Sequence, residues 1–219
     1  MLDRDILIFA NGDANDGAMV QRAIQQAHHP LIAAADGGAR IARHYGLTPQ
    51  VVIGDMDSLT PDELHALEAA GAEIYRYPQE KNETDLELVL LWAARADPRR
   101  IRVIGAVGDR LDQTMANVYL LALPALRGID VRICAGKQET WLALPGSSAI
   151  QGAPGDTVSL IPLGGGVRGV RTENLYYPLK DEDLPFGPAR GVSNVLKGER
   201  GVIHVRDGVL LVVHTVGRA

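Results

Sequence analysis

Over its first two thirds the chain alternates short apolar runs with helix-like stretches, and this alternation constrains the fold more than any other feature. ILIFA (6–10), LIAAA (31–35), VVI (51–53), EIYRY (73–77), IRVIG (101–105) and VRICA (131–135) read as strands. Between them lie helix signals. TPDELHALEAA (60–70) opens with Thr60 as N-cap, Pro61 at the first helical position and Glu63 completing a capping box. Thr84 and Glu87 stand at the same spacing at the start of TDLELVLLWAAR (84–95). Beyond Asp109, Leu111, Met115, Val118 and Ala122 follow helical spacing. Strand, helix, strand, repeated, predicts an α/β domain around a mainly parallel sheet.

Near residue 145 the pattern changes. PGSSAIQGAPGD (145–156) is rich in Pro, Gly and Ser, and the residues beyond it alternate without helical periodicity. TVSLIPL and GVRGVRT read as strands, and GVIHVRDGVLLVVHT (201–215) reads as a hairpin turning at Asp207-Gly208. The expectation is an α/β domain over 1–145 and a small all-β, sandwich-like domain over 146–219. A match to GxGxxG at Gly164, Gly166 and Gly169 lacks the following helix that a dinucleotide fingerprint requires, and reads as a loop. GxxxxGK[ST] is absent, which excludes a P-loop enzyme.

Composition narrows the function classes. The 219 residues are 46% hydrophobic and 22% charged, an ordinary globular mix, and the formal net charge of −5 disfavours a broad nucleic-acid surface. Cys134 is the single cysteine and sits in an apolar run; it reads as a buried, inert thiol, and with no disulfide to form a reducing compartment fits best. MLDRDILIFANGD has the features of neither a signal peptide nor an anchor, and no apolar run approaches the roughly 18 residues of a membrane span. A cytoplasmic protein is expected. The histidines are scattered: His28-His29 precede Pro30, and His204 and His214 lie in β patterns, so none is expected to be a metal ligand.

The chemistry concentrates where strands end. ILIFA leads into Asn11-Gly12-Asp13, LIAAA into Asp36-Gly37-Gly38, VVI into Gly54-Asp55-Met56-Asp57, and IRVIG into Gly108-Asp109-Arg110-Leu111-Asp112. In an open α/β sheet, ligands bind beyond the carboxyl ends of the strands. A single aspartate there would cap the next helix. Four such segments would crowd carboxylates into one crevice, and their mutual repulsion calls for a cation. No paired His/Cys spacing supports zinc, and hard oxygen ligands favour Mg²⁺ or Ca²⁺. Without a twelve-residue calcium loop, Mg²⁺ with a phosphate-bearing ligand is the working expectation. DxD spacing would let Asp55 and Asp57 face one ion from alternate positions of an extended segment. Lys81 in EKNETD and Arg110 in GDRLD are the basic residues expected near phosphates.

ADGGA (35–39), IGDMDSL (53–59), ETDLELVL (83–90), GDRLDQTMANVYLL (108–121), LYYPL (175–179) and GVSN (191–194), taken together and in order, resemble the thiamine pyrophosphokinase family over nearly the whole chain. The resemblance implies transfer of the diphosphoryl group of ATP to the hydroxyl of thiamine, with Mg²⁺ and release of AMP. It implies a metal site of Asp55, Asp57 and Asp85, with Arg110 and Asp112 flanking the reacting groups. Asp36, Gly37, Lys81 and Thr84 would lie on the ATP side, and Gln113, Ser193 and Asn194 on the thiamine side. It further implies a homodimer with the active site at the subunit interface. Gln113 stands where many bacterial relatives carry histidine, which removes a candidate general base. Asn174 replaces a frequent glycine before LYYPL, and Val195-Leu196 follow GVSN where relatives often carry an acidic or aromatic residue. Two other readings are a metal-dependent glycosyltransferase, since Asp55-Met56-Asp57 is also a DxD motif, and a diphosphokinase acting on another heterocyclic alcohol.

Overall fold

A computed structural model describes residues 2–218 of the chain, and the side chains of 4–218. The chain divides after Gly136 into two compact units.

The first unit is the expected α/β layer structure. Its elements run β1 (Leu2–Phe9), α1 (Ala18–Gln25), β2 (Leu31–Ala35), α2 (Gly38–His44), β3 (Val51–Gly54), α3 (Pro61–Ala69), β4 (Glu73–Arg76), α4 (Asp85–Arg95), β5 (Pro98–Ile104), α5 (Leu111–Leu120) and β6 (Asp130–Ala135). The six strands are all parallel, in the order β4-β3-β2-β1-β5-β6. Central strands are buried on both faces, so β2 and β3 read as continuous apolar runs rather than alternating ones. β4 closes the edge with mostly exposed residues, among them Glu73 and Arg76, which blunts further pairing. Phe9, Leu7, Val52, Ile104 and Cys134 belong to the core, and the thiol is buried as its apolar surroundings predict.

Helix starts follow their sequence signals. Thr60 caps α3 with both halves of the capping box, and Pro61 takes the first helical position. Thr84 caps α4 by accepting from the Glu87 amide. α2 begins against β1 so closely that a Cβ on Gly38 would lie 2.0 Å from the Phe9 carbonyl oxygen, which reserves that position for glycine.

The chain steps from β1 outward through β2 and β3 to β4, then returns to the other side of β1 for β5 and β6. Connections leave β1 and β5 in opposite directions. A crevice therefore opens at their carboxyl ends, the place where doubly wound sheets bind ligands.

The second unit contains strands only among its described residues: β7 (Gln138–Ala143), β8 (Gly146–Gln151), β9 (Thr157–Glu173), β10 (Lys180–Leu184), β11 (Asn194–Val195), β12 (Arg200–Val205) and β13 (Asp207–Thr215). Two expectations fail here. β12 and β13 do not form a hairpin: β12 pairs with β8 and with the end of β9, while β13 pairs with β7 and with the first part of β9. Arg206 is therefore a corner between two sheets rather than part of a two-strand turn. The Gly164–Gly166 segment is not a loop either. It lies within the 17-residue β9, where Gly164 (φ 68°), Gly165 (φ 147°) and Gly169 (φ 60°) bend the strand so that it serves both sheets. Alternation marked these segments correctly as strands, but pairing partners depend on where glycine bends them. Trp141, Ile150, Leu160, Val170, Ile203 and Val212 form the core between the sheets.

His214 is fully buried in this unit, with Nδ1 3.0 Å from Glu139 Oε1 and Nε2 2.9 Å from Asp156 Oδ2. It is a structural brace between β13, β7 and the turn before β9. Burial pushes the Asp156 carboxyl up, but the amides of Gly217 and Ala153 and the His214 ring together hold it below the ordinary aspartate value. Asp156 thus adds stability above the ordinary aspartate pKa, and that stability fades as pH falls through its lower folded value. His214→Ala should lower the stability of the folded protein by about 3–5 kcal/mol in urea unfolding, because two buried carboxylates lose the group between them. His204, a partly exposed neighbour of Ser147 and Glu173, should cost less than about 1 kcal/mol on the same substitution.

Candidate functional site

The carboxyl ends of β1, β2, β3 and β5 converge on one cavity of about 620 Å³ in the first unit. Its wall includes Asn11, Gly12 and Asp13 after β1, Asp36 after β2, Asp55, Asp57 and Ser58 after β3, and Gly108, Asp109 and Arg110 after β5. All four strand-end segments singled out in the sequence therefore meet. Lys81, Thr84 and Asp85 enter from the β4–α4 connection, and Gln113, Thr114 and Asn117 from α5.

Asp36, Asp55 and Asp57 each place a carboxylate oxygen within 4.8 Å of the others. The local backbone explains how. Asp36 lies in the left-handed region (φ 44°), and its amide donates to the Ile53 carbonyl, which holds it against the end of β3. β3 ends at Gly54, and Met56 turns the chain at φ 66°. Asp55 and Asp57 therefore do not face together as alternate residues of an extended segment. They meet because the turn folds back, with the Asp57 amide donating to Asp55 Oδ1 at 3.2 Å. Ser58 completes the turn: its amide donates to Asp36 Oδ2 at 3.2 Å and its hydroxyl to Asp57 Oδ1 at 3.2 Å. Asn11 Nδ2 supports Ser58 Oγ at 3.1 Å.

Asp36 is 3% exposed, and its Oδ1 is buried without a hydrogen-bond partner. A buried carboxylate oxygen with no donor is costly, and an oxygen-seeking cation would satisfy it. The donor set is all hard oxygen, which fits Mg²⁺.

Asp85 stands at the first position of α4 and lines the same cavity without joining that trio. Its partner is Lys81, whose Nζ lies 3.0 Å from Asp85 Oδ1 and 3.4 Å from Asp55 Oδ2. The Asp85 oxygen is in ion-pair range but makes no hydrogen bond of good geometry. Burial pushes the Asp85 carboxyl up, against the pull of Lys81. Burial acts on Asp55 in the same direction, but the Asp57 amide and Lys81 leave it below the ordinary value.

Arg110 and Asp112 form an exposed ion pair, Nη2 to Oδ2 at 2.5 Å. Arg110 lines the cavity, whereas Asp112 is not part of its wall, and Arg110 holds the Asp112 carboxyl below the usual range. Gly37 lies beside the wall: a Cβ there would come within 2.4 Å of Asn11 Oδ1.

Ser193 and Asn194 lie in the second unit, on a separate cavity of about 530 Å³ walled also by Tyr176, Tyr177, Glu182 and Arg190. Asn194 is buried, and both ends of its amide are used on backbone: Oδ1 accepts from the Tyr177 and Val195 amides, and Nδ2 donates to the Tyr177 carbonyl at 2.7 Å. It braces the tyrosine segment. Ser193 is exposed with φ 59° on the rim. Tyr176 and Tyr177 are 64% and 63% exposed and pack edge to face, 4.9 Å between centroids.

Sequence reasoning missed the place of Asp36 in the carboxylate trio, the supporting roles of Asn11 and Ser58, and the bonds by which Thr114 and Asn117 hold the segment after β5, from the Gly108 amide to Thr114 Oγ1 and from Asn117 Nδ2 to the Ala106 carbonyl. Asp36 stood in one of the four strand-end segments. An aspartate directly after a strand, followed by two glycines, was the available signal.

Comparison with known proteins adds an independent view. Residues 23–133 match the family described as thiamin pyrophosphokinase, catalytic domain, and residues 148–210 match thiamin pyrophosphokinase, vitamin B1 binding domain. Thiamine pyrophosphokinase of Bacillus subtilis (strain 168) is 28% identical over 188 residues, covering 85% of this chain and 88% of that protein. The crystal structure of thiamine pyrophosphokinase from Bacillus subtilis superposes with a TM-score of 0.86 at 26% identity, covering 97% of this chain and 99% of the other. That of the Geobacillus thermodenitrificans protein gives 0.81 at 25% identity over 96% and 97%.

Gly54 separates Asp36 from Asp85: a Cβ there would lie 2.9 Å from Asp36 Cβ and 3.1 Å from Asp85 Cγ. Gly54→Ala should destabilise the fold by about 1–3 kcal/mol, as overpacking does. It should also weaken Mn²⁺ binding measured by electron paramagnetic resonance, because the carboxylates must spread.

Proposed function

This chain belongs to the thiamine pyrophosphokinase family, and on that premise we propose that it transfers the diphosphoryl group of ATP to the thiamine hydroxyl, giving thiamine diphosphate and AMP. The observation that carries this reading is the gathering of Asp36, Asp55, Asp57, Lys81, Asp85 and Arg110 around one cavity at the switch point of the sheet. A DxD glycosyltransferase would account for Asp55 and Asp57 alone; it gives no reason for the vitamin B1 binding match over residues 148–210.

The hydroxyl oxygen attacks the β-phosphorus in line, an O–P bond forms, the bond to the bridging oxygen breaks and leaves its electron pair on AMP, and the hydroxyl proton passes to water. Such transfers depend on positioning and charge neutralisation more than on a strong base. Asp55, Asp57 and Asp36 would hold Mg²⁺, with Asp85 in reserve behind Lys81. Mg²⁺, when bound, would neutralise charge on the transferring group. Arg110 and Lys81 present donors to phosphate oxygens. Asp112 acts through Arg110: its carboxyl, held low and outside the wall, orients the guanidinium instead of taking the proton. Thr84 and the start of α4 would face the nucleotide, with Asp36 in the same wall and Gly37 just outside it. Gln113 reaches the cavity from α5 toward the thiamine side.

In the second unit, Ser193 and the tyrosine pair present a polar rim and aromatic faces suited to a cationic heterocycle, and Asn194 fixes their backbone. We assign the working form to a homodimer in the cytoplasm, with the active site at the subunit interface. On α5, Leu111, Met115 and Tyr119 are 72%, 39% and 56% exposed at four-residue spacing, an apolar stripe that a second copy would cover.

Incubation with ATP, Mg²⁺ and thiamine should yield AMP and thiamine diphosphate in equal amounts; ATP consumed without AMP would sink the reading. In that assay Asp57→Asn should lower turnover by roughly a hundredfold or more, and near-normal turnover of the folded variant would remove the metal assignment. Sedimentation should give the mass of a dimer, and Leu111→Asp should shift it toward the monomer.

A further inference from the structure

Lys81 is a cation that the site carries within itself. Its side chain is 11% exposed, and its ammonium group is shared between Asp55 and Asp85. Asp55 is also a member of the carboxylate trio with Asp36 and Asp57. One carboxylate thus faces both the ammonium and the place where a divalent cation would sit. Two positive groups that share one carboxylate repel each other in a partly buried site.

The connection that carries Lys81 is irregular but tied down at both ends. It is held at its start by the Tyr77 amide, which donates to the Gly54 carbonyl at 2.8 Å, and at its end by the Thr84 cap of α4. Residues 78–84 between them form no helix or strand. Gln79, two residues before Lys81, reaches Asp57 Oδ2 at 3.2 Å. The same short segment therefore occupies an oxygen on both aspartates of the DxD pair. Asp36 Oδ1, by contrast, is buried without a donor. The segment satisfies only part of the cluster.

We propose that Lys81 is a built-in counter-ion that a divalent cation displaces from Asp55 and Asp85, and that the displaced ammonium group is delivered to the phosphates of the nucleotide. This rests on reading the carboxylate cluster as a metal site. The displacement needs only rotation about a flexible four-carbon stem whose three donors accept any nearby anion. It releases Asp55 Oδ2 and Asp85 Oδ1 to the incoming ion. Metal and nucleotide then bind cooperatively: metal frees the ammonium for phosphate, and phosphate draws it off the carboxylates. The coupling is reciprocal by thermodynamic necessity. Without nucleotide, the lysine weakens metal binding and keeps the crowded carboxylates compatible with the fold.

The test is Mn²⁺ binding to the nucleotide-free full chain, followed by electron paramagnetic resonance, for the wild type, Lys81→Met and Lys81→Arg. Removing the charge should tighten Mn²⁺ binding by about tenfold or more, the scale on which one adjacent charge shifts an ionic equilibrium. Lys81→Arg should stay near the wild type. Mn²⁺ should also raise the melting temperature of Lys81→Met more than that of the wild type, because the ion replaces the missing ammonium. At saturating Mn²⁺, Lys81→Met should bind ATP about tenfold or more weakly, as for a lost charge-assisted hydrogen bond. Equal or weaker Mn²⁺ binding by Lys81→Met overturns the counter-ion role, and unchanged ATP affinity overturns the delivery. If neither wild type nor variants bind Mn²⁺, the metal-site reading falls and this inference falls with it. Lys81→Gln serves as a second neutral variant if Lys81→Met does not fold.

Discussion

The repulsion among carboxylates at one edge of a parallel sheet is the constraint to which the first unit answers. Parallel strands all end on the same side, so every turn leaving that edge delivers its side chains to the same place. Here those turns carry Asp13, Asp36, Asp55, Asp57 and Asp109. Ser58 donors hold Asp36 and Asp57 from the β3 turn, and the Gln79 amide and the Lys81 ammonium reach Asp57 and Asp55 from the β4–α4 connection. Donors are spent on Asp36 Oδ2 but none reaches Asp36 Oδ1. The remaining imbalance sets the cavity apart from a set of helix caps and is what supports the proposed cation site.

The second unit solves a different problem with different means. No carboxylate trio lies there among the described residues. Its buried charges are closed off: Asp156 and Glu139 are joined through His214, and none of these side chains reaches the cavity wall. The cavity wall there is instead partly aromatic, and its shape depends on a buried amide. Asn194 bonds the backbone of Tyr177 in both directions, so the sequence GVSN matters first as scaffolding for LYYPL, with Val192 and Ser193 as its exposed residues.

Where a signal is local, the sequence carried it. LIAAA became β2 at the expected residues, and the Thr60 capping box started α3 where it was read. The four Gly/Asp strand ends met because parallel topology leaves them no alternative. Signals that depend on a partner were read less well. Asp207-Gly208 looked like a hairpin turn, yet each flanking strand finds other neighbours because β9 bends at Gly164 and Gly165 to serve both sheets. The DxD spacing was informative for the wrong reason: a left-handed Met56, not an extended segment, brings Asp55 and Asp57 together. Asp85 and Lys81 were both marked, but their pairing was invisible, since it depends on how the β4–α4 connection folds back over β3.

The apolar positions of α5 show a limit of a different kind. Leu111, Met115, Val118 and Ala122 follow helical spacing, and a helix did form. Yet of these only Val118 is buried, while Leu111 and Met115 remain open with Tyr119 beside them. Periodicity reports that a helix face is apolar; it does not say whether the cover comes from the same chain. Gln113, Thr114 and Asn117, by contrast, turn toward the cavity. The helix thus divides its surface between a polar flank that lines the cavity and an exposed apolar flank. A subunit that covers the apolar flank would stand beside the cavity and would fix the helix that supplies part of its wall. In such an arrangement, association and site geometry are set by the same short helix.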